Sequence, residues 1–389
     1  MKKVAIVYHY LAHYRLPIFQ QMMLSKHINY TIYSGISSDV NISKIDVKIL
    51  KDSISNGGLR WSPLKNKWLL KRRFLWQRGI IRTVLKDDFQ AYIFLGSPYH
   101  LTTWIAGILA RIRGRKVYFW MHGFYKDKAT SIDNIKLFAF YKIANGFFLY
   151  GKRAANILAD RKIIKKEKIH IVYNSLDYNK SLMYRKEISP LEISEFRKSY
   201  FSNTSLPIVV FIGRLTSVKR IDYLIKSMVL AKEIYGKSIF NLIIIGDGDE
   251  EGSLKKMARL YKLENNINFL GAIYEEKVNA EILSYSDLCV TPGEIGLTAI
   301  HSLSYGTPVI SHDNFNIQMP EVEAIKRGIN GDLYKYNDIH DLCTVIKTWF
   351  ENNPRKTKEI SNRCYEIVDN LYNPFYQSKV FDSVFLNES

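Results

Sequence analysis

The sequence predicts an α/β protein of two parallel-sheet domains, and three observations carry that expectation. Short apolar runs alternate with helix-length segments through both halves, the order of repeated β-α-β units. In the second half, three apolar runs end at Gly213, Gly246 and Val290, each opening into a glycine-bearing loop before a helix. A length of 389 residues is too great for one ordinary core and suits two.

In the first half the expected strands are Lys3–Tyr8, Tyr30–Tyr33, Val47–Leu50, Ala91–Leu95, Val117–Met121, Gly146–Tyr150 and Ile169–Val172, with helices between most of them. The opening MKKVAIVYHYLAHYR reaches His9 and Arg15 too soon for a signal peptide, so it reads as the first strand and its loop. The longest apolar run, Leu101–Ala110, stops at Arg111, short of the roughly 18 residues a membrane span requires. After Asp177 a polar, charged stretch without strand character reads as a connector over residues 186–205 plus a short helix, joining a domain of residues 1–185 to one of residues 206–370.

The second half begins with PIVVFIGRLTSVKR, a strand closing on Gly213 and Arg214, then Lys219 before a helix over Ile221–Glu233. NLIIIGDGDEEG breaks at Gly246-Asp247-Gly248 before a helix over Ser253–Tyr261. TPGEIGLTAIHSLSYGTPVISH follows the strand Asp287–Val290, turns at Pro292-Gly293-Glu294, runs as a helix from about Gly296 to Tyr305 and stops at Gly306-Thr307-Pro308. Open N–H groups at such a helix start, at the positive end of its dipole, suit a diphosphate. In a parallel sheet these loops share the carboxyl edge, where ligands bind. The tail from Pro354 is helical in pattern and is broken at Asn373-Pro374.

Cys289, Cys343 and Cys364 have no ligand-type spacing and suit a reducing compartment without disulfides or zinc. The net charge of +19 is uneven: residues 1–185 hold 33 Lys and Arg against 10 Asp and Glu, so the first domain is the basic one. Its densest part, Leu59–Arg82, has eight cations and no acid, with Trp61, Trp68, Phe74 and Trp76 among them. Two readings stand. Lys71, Arg72 and Arg73 with Trp61, Trp68 and Trp76 suit an anionic membrane surface, since cations attract headgroups and Trp prefers the interface. The same stretch also fits a solvated basic helix with its aromatics facing the core. Nucleic acid is not expected, because no nucleic-acid motif accompanies the patch.

The order FIGRLTSVKR, IIGDGDEE, PGEIGLTAIHSLSYGTPVI and MPEVEAIKRGINGDLY, over about Pro207–Asp338, resembles the C-terminal domain of family 4 (group 1) glycosyltransferases with the GT-B fold. HIVYNSLD at His170–Asp177 and Met121-His122-Gly123 are weaker echoes in the first half. The resemblance implies two Rossmann-like domains facing a central cleft, the first for the acceptor and the second for the nucleotide sugar, with residues 371–389 crossing back to the first. It implies a donor site of Gly213, Arg214, Lys219, Gly246, Gly271, Ile273, Gly296, Leu297, Thr298 and His301, with base recognition near Gly271–Tyr274. His122 and Glu294 are the implied catalytic residues, and His13 and Arg15 the implied acceptor or phosphate contacts.

One feature departs from the family. Its two glutamates eight positions apart fall here on Gly293 and His301, with Glu294 one residue later. Either Glu294 reaches the sugar and His301 the ribose, or the donor is handled differently. The activity implied is transfer of a sugar from a UDP- or GDP-linked donor to an acceptor hydroxyl, with retention and without a metal or other cofactor. Expected with it are a lipid-linked saccharide acceptor in bacterial cell-envelope polysaccharide synthesis (lipopolysaccharide O-antigen, capsule or exopolysaccharide) and a cytoplasmic, peripheral place at the inner membrane face. A nucleotide-sugar epimerase of the same fold, or a catalytically weak docking partner of a polysaccharide assembly complex, are the alternatives.

Overall fold

The computed structural model describes residues 1–36, 43–123, 137–189 and 192–387. Two residues of the expected connector, 190–191, and the last two, 388–389, lie outside them. The chain forms two compact units, one of Met1–Asp177 with Tyr372–Ser389, the other of Tyr178–Leu371.

Among the described residues, the first unit holds an eight-stranded sheet of β1 (Lys2–Tyr10), β2 (Ile28–Gly35), β3 (Trp61–Leu69), β4 (Phe74–Arg78), β5 (Ala91–Leu95), β6 (Lys116–Met121), β7 (Gly146–Leu149) and β8 (Ile169–Ile171). Their order is β4-β3-β2-β1-β5-β6-β7-β8, parallel except for the antiparallel β3–β4 pair. Strand order reverses between β1 and β5, so the crevice such sheets use for ligands lies beyond Tyr10 and Leu95. One sheet face packs on the terminal helix Pro374–Leu386, where the Phe381 ring lies 4.3 Å from Phe148 and 4.8 Å from Trp120. Asp382 on that helix accepts from Ser25 and Tyr30, each at 2.7 Å. Asn373 caps its start by accepting from the Tyr376 N–H at 2.8 Å, with Pro374 in the first turn.

Two expectations fail in this unit. Val47–Lys51 is a helix rather than a strand, because Asp46 caps it by accepting from the Lys48 N–H at 2.8 Å. Four residues of mixed polarity cannot separate the two periods. The basic stretch is not a long helix either. It forms the β3–β4 hairpin, with Pro63, Lys65 and Lys67 exposed and Leu64 buried between them, the two-residue alternation of a strand. Only Ile80–Lys86 at its end is helical.

The second unit's sheet runs β11-β10-β9-β12-β13-β14, formed by β9 (Ile208–Ile212), β10 (Asn241–Ile245), β11 (Ile267–Gly271), β12 (Leu288–Val290), β13 (Val309–His312) and β14 (Gly331–Tyr334). All its pairs are parallel, and the order reverses between β9 and β12. The expected connector belongs here, with helices at Tyr178–Glu187 and Ile193–Tyr200. Its Arg197 reaches buried Asp287 through two bonds of 2.8 and 3.0 Å. Asp287 also accepts from the Ile208 N–H at 2.8 Å and the Lys356 N–H at 3.0 Å. With a further bond from Arg355 at 3.3 Å, one desolvated carboxylate accepts five bonds and ties helix, sheet and the 354–356 turn together, which a polar sequence stretch does not reveal.

Candidate active site

In the second unit the loops after β9 and β12 meet at the reversal point and are stitched through backbone. Gly293 N–H donates to Lys219 O at 2.9 Å, and Glu294 N–H donates to Val218 O at 3.1 Å. The Lys219 Nζ donates to Glu294 O at 2.6 Å, so the cation is held at the turn. Burial lowers the Lys219 pKa; the Glu294 charge opposes that shift and Arg214 adds to it. Arg214 is exposed and the Glu294 side chain half-buried at the same edge. Thr298 donates to Ile212 O at 3.2 Å, holding the helix Leu297–Ser304 over the end of β9. The N–H groups of Gly296, Leu297 and Thr298 find no acceptor among the described residues, so three open donors stand at the helix start that follows the turn holding Lys219, an arrangement that suits an anion.

The neighbouring strand ends follow. Gly213 N–H donates to Ile245 O at 3.0 Å and Gly246 N–H to Gly271 O at 2.7 Å. A Cβ at Gly246 would stand 1.9 Å from Gly213 O, so only glycine lets these turns touch. Ile273 O accepts from Asn279 Nδ2 at 3.0 Å, and Tyr274 beside it is exposed. His301, one turn along the helix from Leu297, is bonded to Glu276 through Nε2 and Oε1 at 2.9 Å. Every residue expected to bind the donor thus lies on the carboxyl edge of this sheet or on the helix that leaves it.

The structure explains the missing first glutamate. A Cβ at Gly293 would lie 1.9 Å from Val218 O and 2.6 Å from the Lys219 carbonyl carbon. Backbone occupies that space, so an acid cannot be put back. Gly293→Ala is expected to cost about 1–3 kcal/mol, the usual range for forced overpacking. Gly293→Glu should also fail to increase nucleotide binding. Thermal melting and nucleotide titration check both; a Gly293→Glu protein that melts normally and binds more tightly counts against the fit.

The first unit carries its own cavity of about 1310 Å³ at the reversal between β1 and β5. Arg15, His122, His9 and His100 line it together with Tyr8, Trp104 and other aromatic rings. Buried Arg15 donates to the Tyr150 hydroxyl, and its guanidinium lies 4.8 Å from the Tyr150 ring and 5.2 Å from the Trp120 ring. The His122 ring is 4.7 Å from that of Tyr150. His13 is elsewhere, exposed and bonded through Nδ1 to Ser43 O at 3.1 Å. Sequence reasoning missed His9 and His100, whose rings are 5.8 Å apart. The signal available was their place at the carboxyl end of β1 and in the loop that follows its neighbour β5.

Burial, helped by the Arg15 charge, pushes His122 down to about 4, and burial beside His9 pushes His100 down to about 3. Both imidazoles are neutral at pH 7. Below about 6.5 the unfolded chain protonates them while the folded chain does not, so stability falls as pH drops from 6.5 toward 4. Each site contributes up to ~1.4 kcal/mol per pH unit in that window. His100→Asn should flatten the dependence of the urea midpoint on pH between 7 and 4.5; an unchanged slope refutes a buried neutral His100.

The basic hairpin borders the same cavity through Arg73, Phe74 and Trp76. Trp61 is half-buried and donates to Ser34 at 2.8 Å, and Trp68 is half-buried on β3, so neither ring is freely exposed. The tip is outward: Leu70 is 75% exposed and Lys71, Arg72 and Arg73 are exposed. Leu70, Lys71 and Arg72 have φ of 47°, 51° and 67°, a left-handed run that side chains rarely adopt. On the helix Leu101–Ile112, Ile105, Ile108 and Ile112 form a second exposed apolar stripe. No helix among the described residues is long and apolar enough to cross a membrane, and no group of three or more His, Cys, Asp or Glu among them could hold a metal ion.

The family model for glycosyl transferases group 1 matches residues 192–366. An uncharacterized glycosyltransferase of Haemophilus influenzae is 28% identical over 156 residues, 40% of this chain and 42% of that protein. The O-antigen biosynthesis glycosyltransferase WclY of Escherichia coli is 26% identical over 223 residues, 57% of this chain and 56% of that one. The matched stretches therefore span about half the length of these relatives. The crystal structure of Anabaena Alr3699/HepE in complex with UDP superposes over 100% of both chains with a TM-score of 0.73 at 15% identity, a likeness of GT-B fold.

Proposed function

On the premise that residues 192–366 are a glycosyl transferases group 1 domain within a GT-B fold, we propose that this chain transfers a sugar from a nucleoside diphosphate sugar to an acceptor hydroxyl. One observation carries the reading: Lys219 is fastened at the β9–β12 reversal beside three unsatisfied N–H groups. A departing diphosphate gathers negative charge, and donors fixed beforehand stabilise it more in the transition state than in the ground state. Arg214, Lys219 and the helix start supply that charge complement without a metal ion. The UDP bound by the Anabaena neighbour supports a uridine donor, with GDP the other candidate.

The acceptor enters the aromatic cavity of the first unit, where Arg15 meets an anionic group and neutral His122 a hydroxyl. Transfer proceeds with retention, Glu294 serving the donor sugar at the turn. A lipid-linked cell-envelope saccharide fits best. The exposed Leu70–Arg73 tip and the isoleucine stripe of Leu101–Ile112 support docking on an anionic membrane at the cytoplasmic face, and the O-antigen role printed for WclY supports the pathway class.

The test is UDP or GDP release from a panel of nucleotide sugars with and without lipid-linked acceptors from envelope extracts. Acceptor-dependent release, a product of unchanged anomeric configuration and activity that survives a chelator are the expected results. An isomerised donor without transfer points instead to an epimerase, and binding without turnover to a docking protein.

A further inference from the structure

The geometry points to Glu276 as the carboxylate that holds the ribose diol of the donor, with His301 and Tyr305 as the residues that position it. This rests on the nucleotide-sugar reading above. It goes beyond it by moving the ribose contact from His301 to a residue that no sequence pattern singled out.

Glu276 opens the helix Glu276–Tyr285, yet its side chain meets the other helix, Leu297–Ser304. Its Oε1 accepts from His301 Nε2 at 2.9 Å and from the Tyr305 hydroxyl at 2.6 Å. An ionised carboxylate only accepts, so the ring must carry its proton on Nε2. Both donors sit on one oxygen; Oε2 accepts no hydrogen bond among the described residues, and the side chain is 28% exposed. Burial alone would raise this carboxyl, but the His301 ring and the Tyr305 hydroxyl bring it below its ordinary value, so it is charged at neutral pH. A fixed, charged, partly exposed carboxylate whose second oxygen receives neither of these bonds suits a pair of vicinal hydroxyls.

Its place along the helix fits the same ligand. His301 lies four residues after Leu297, about 6 Å along the axis from the N–H groups that suit a diphosphate. In nucleotide-binding sheets an acidic residue takes the ribose hydroxyls while the helix start takes the phosphates. Here the helix carries no acid at that turn, and its imidazole cannot act as a charged acceptor. It holds one that reaches in from the next helix.

An exchange of the acid tests this. Wild type, Glu276→Gln, His301→Glu and the double variant Glu276→Gln/His301→Glu are titrated with UDP and GDP and with their 2′-deoxy and 3′-deoxy analogues. Melting without ligand is the folding control. Wild type should prefer the ribonucleotide, and Glu276→Gln should bind it roughly ten-fold or more weakly and lose that preference, as expected when a hydrogen bond to a charged group is lost. The double variant, with its carboxylate moved onto the Leu297–Ser304 helix, should recover preference that neither single variant has. A Glu276→Gln protein that melts normally and keeps both affinity and preference overturns the assignment, as does a wild type indifferent to the ribose hydroxyls. If wild type binds neither nucleotide, the nucleotide-sugar reading itself falls, a result separate from the other two.

Discussion

Lys219→Ala is expected to lower sugar transfer by about two to three powers of ten, the range seen when one preorganised donor to developing charge is removed. The lysine is half-buried, its Nζ is fixed 2.6 Å from Glu294 O, and its loop is bonded to the opposing turn through Val218 and Lys219 carbonyls. A cation held in so sheltered a place needs no reorganisation when the leaving group departs, so the loss should fall on kcat more than on nucleotide affinity. Arg214, exposed at the same edge, should matter less, about ten-fold, because solvent screens it. Steady-state kinetics with a nucleotide titration separate the two effects. Wild-type turnover in both variants would remove the loop from the reaction.

Neutralising Lys71, Arg72 and Arg73 to glutamine should weaken binding to anionic vesicles by roughly two powers of ten, at about 1 kcal/mol for each cation near the surface. These three follow an exposed Leu70 at the turn of a hairpin, where left-handed backbone holds a leucine out of any core. Salt should imitate the substitutions, since screening acts within about 8 Å at physiological ionic strength. Activity on a short soluble acceptor should survive substitution of Lys71 and Arg72 alone, since Arg73 but neither of these borders the acceptor cavity. Co-sedimentation of wild type and variant at low and high salt is the measurement; binding that ignores both salt and the substitutions, or no binding by wild type, ends the docking proposal.

The glycine-bearing strand-end loops of the second unit were legible because their signals are local. Glycine at the end of an apolar run, a cation a few residues on and a helix start are properties of neighbours in the chain, and Gly213, Arg214, Lys219 and Gly296–Thr298 do come together at one edge. The hairpin was legible in principle through the alternation at Pro63, Lys65 and Lys67, but the density of cations and aromatics hid it. The 186–205 stretch, read as a connector with a short helix, gave no local sign that its Arg197 is spent on a buried carboxylate 90 residues away.

By itself, then, the sequence determined the α/β class, the order of the glycine-bearing loops and the oddity at Gly293 and His301. Only the tertiary structure decided what surrounds these two positions. Backbone of the 218–219 turn fills the space a side chain at 293 would need, and the charge absent from the Leu297–Ser304 helix stands 2.9 Å from His301 on a residue 25 positions earlier. Periodicity and punctuation act through the few residues that share a turn or a strand. Steric exclusion and ion pairing act through space, between segments that meet only once the sheet has brought its strand ends to one edge.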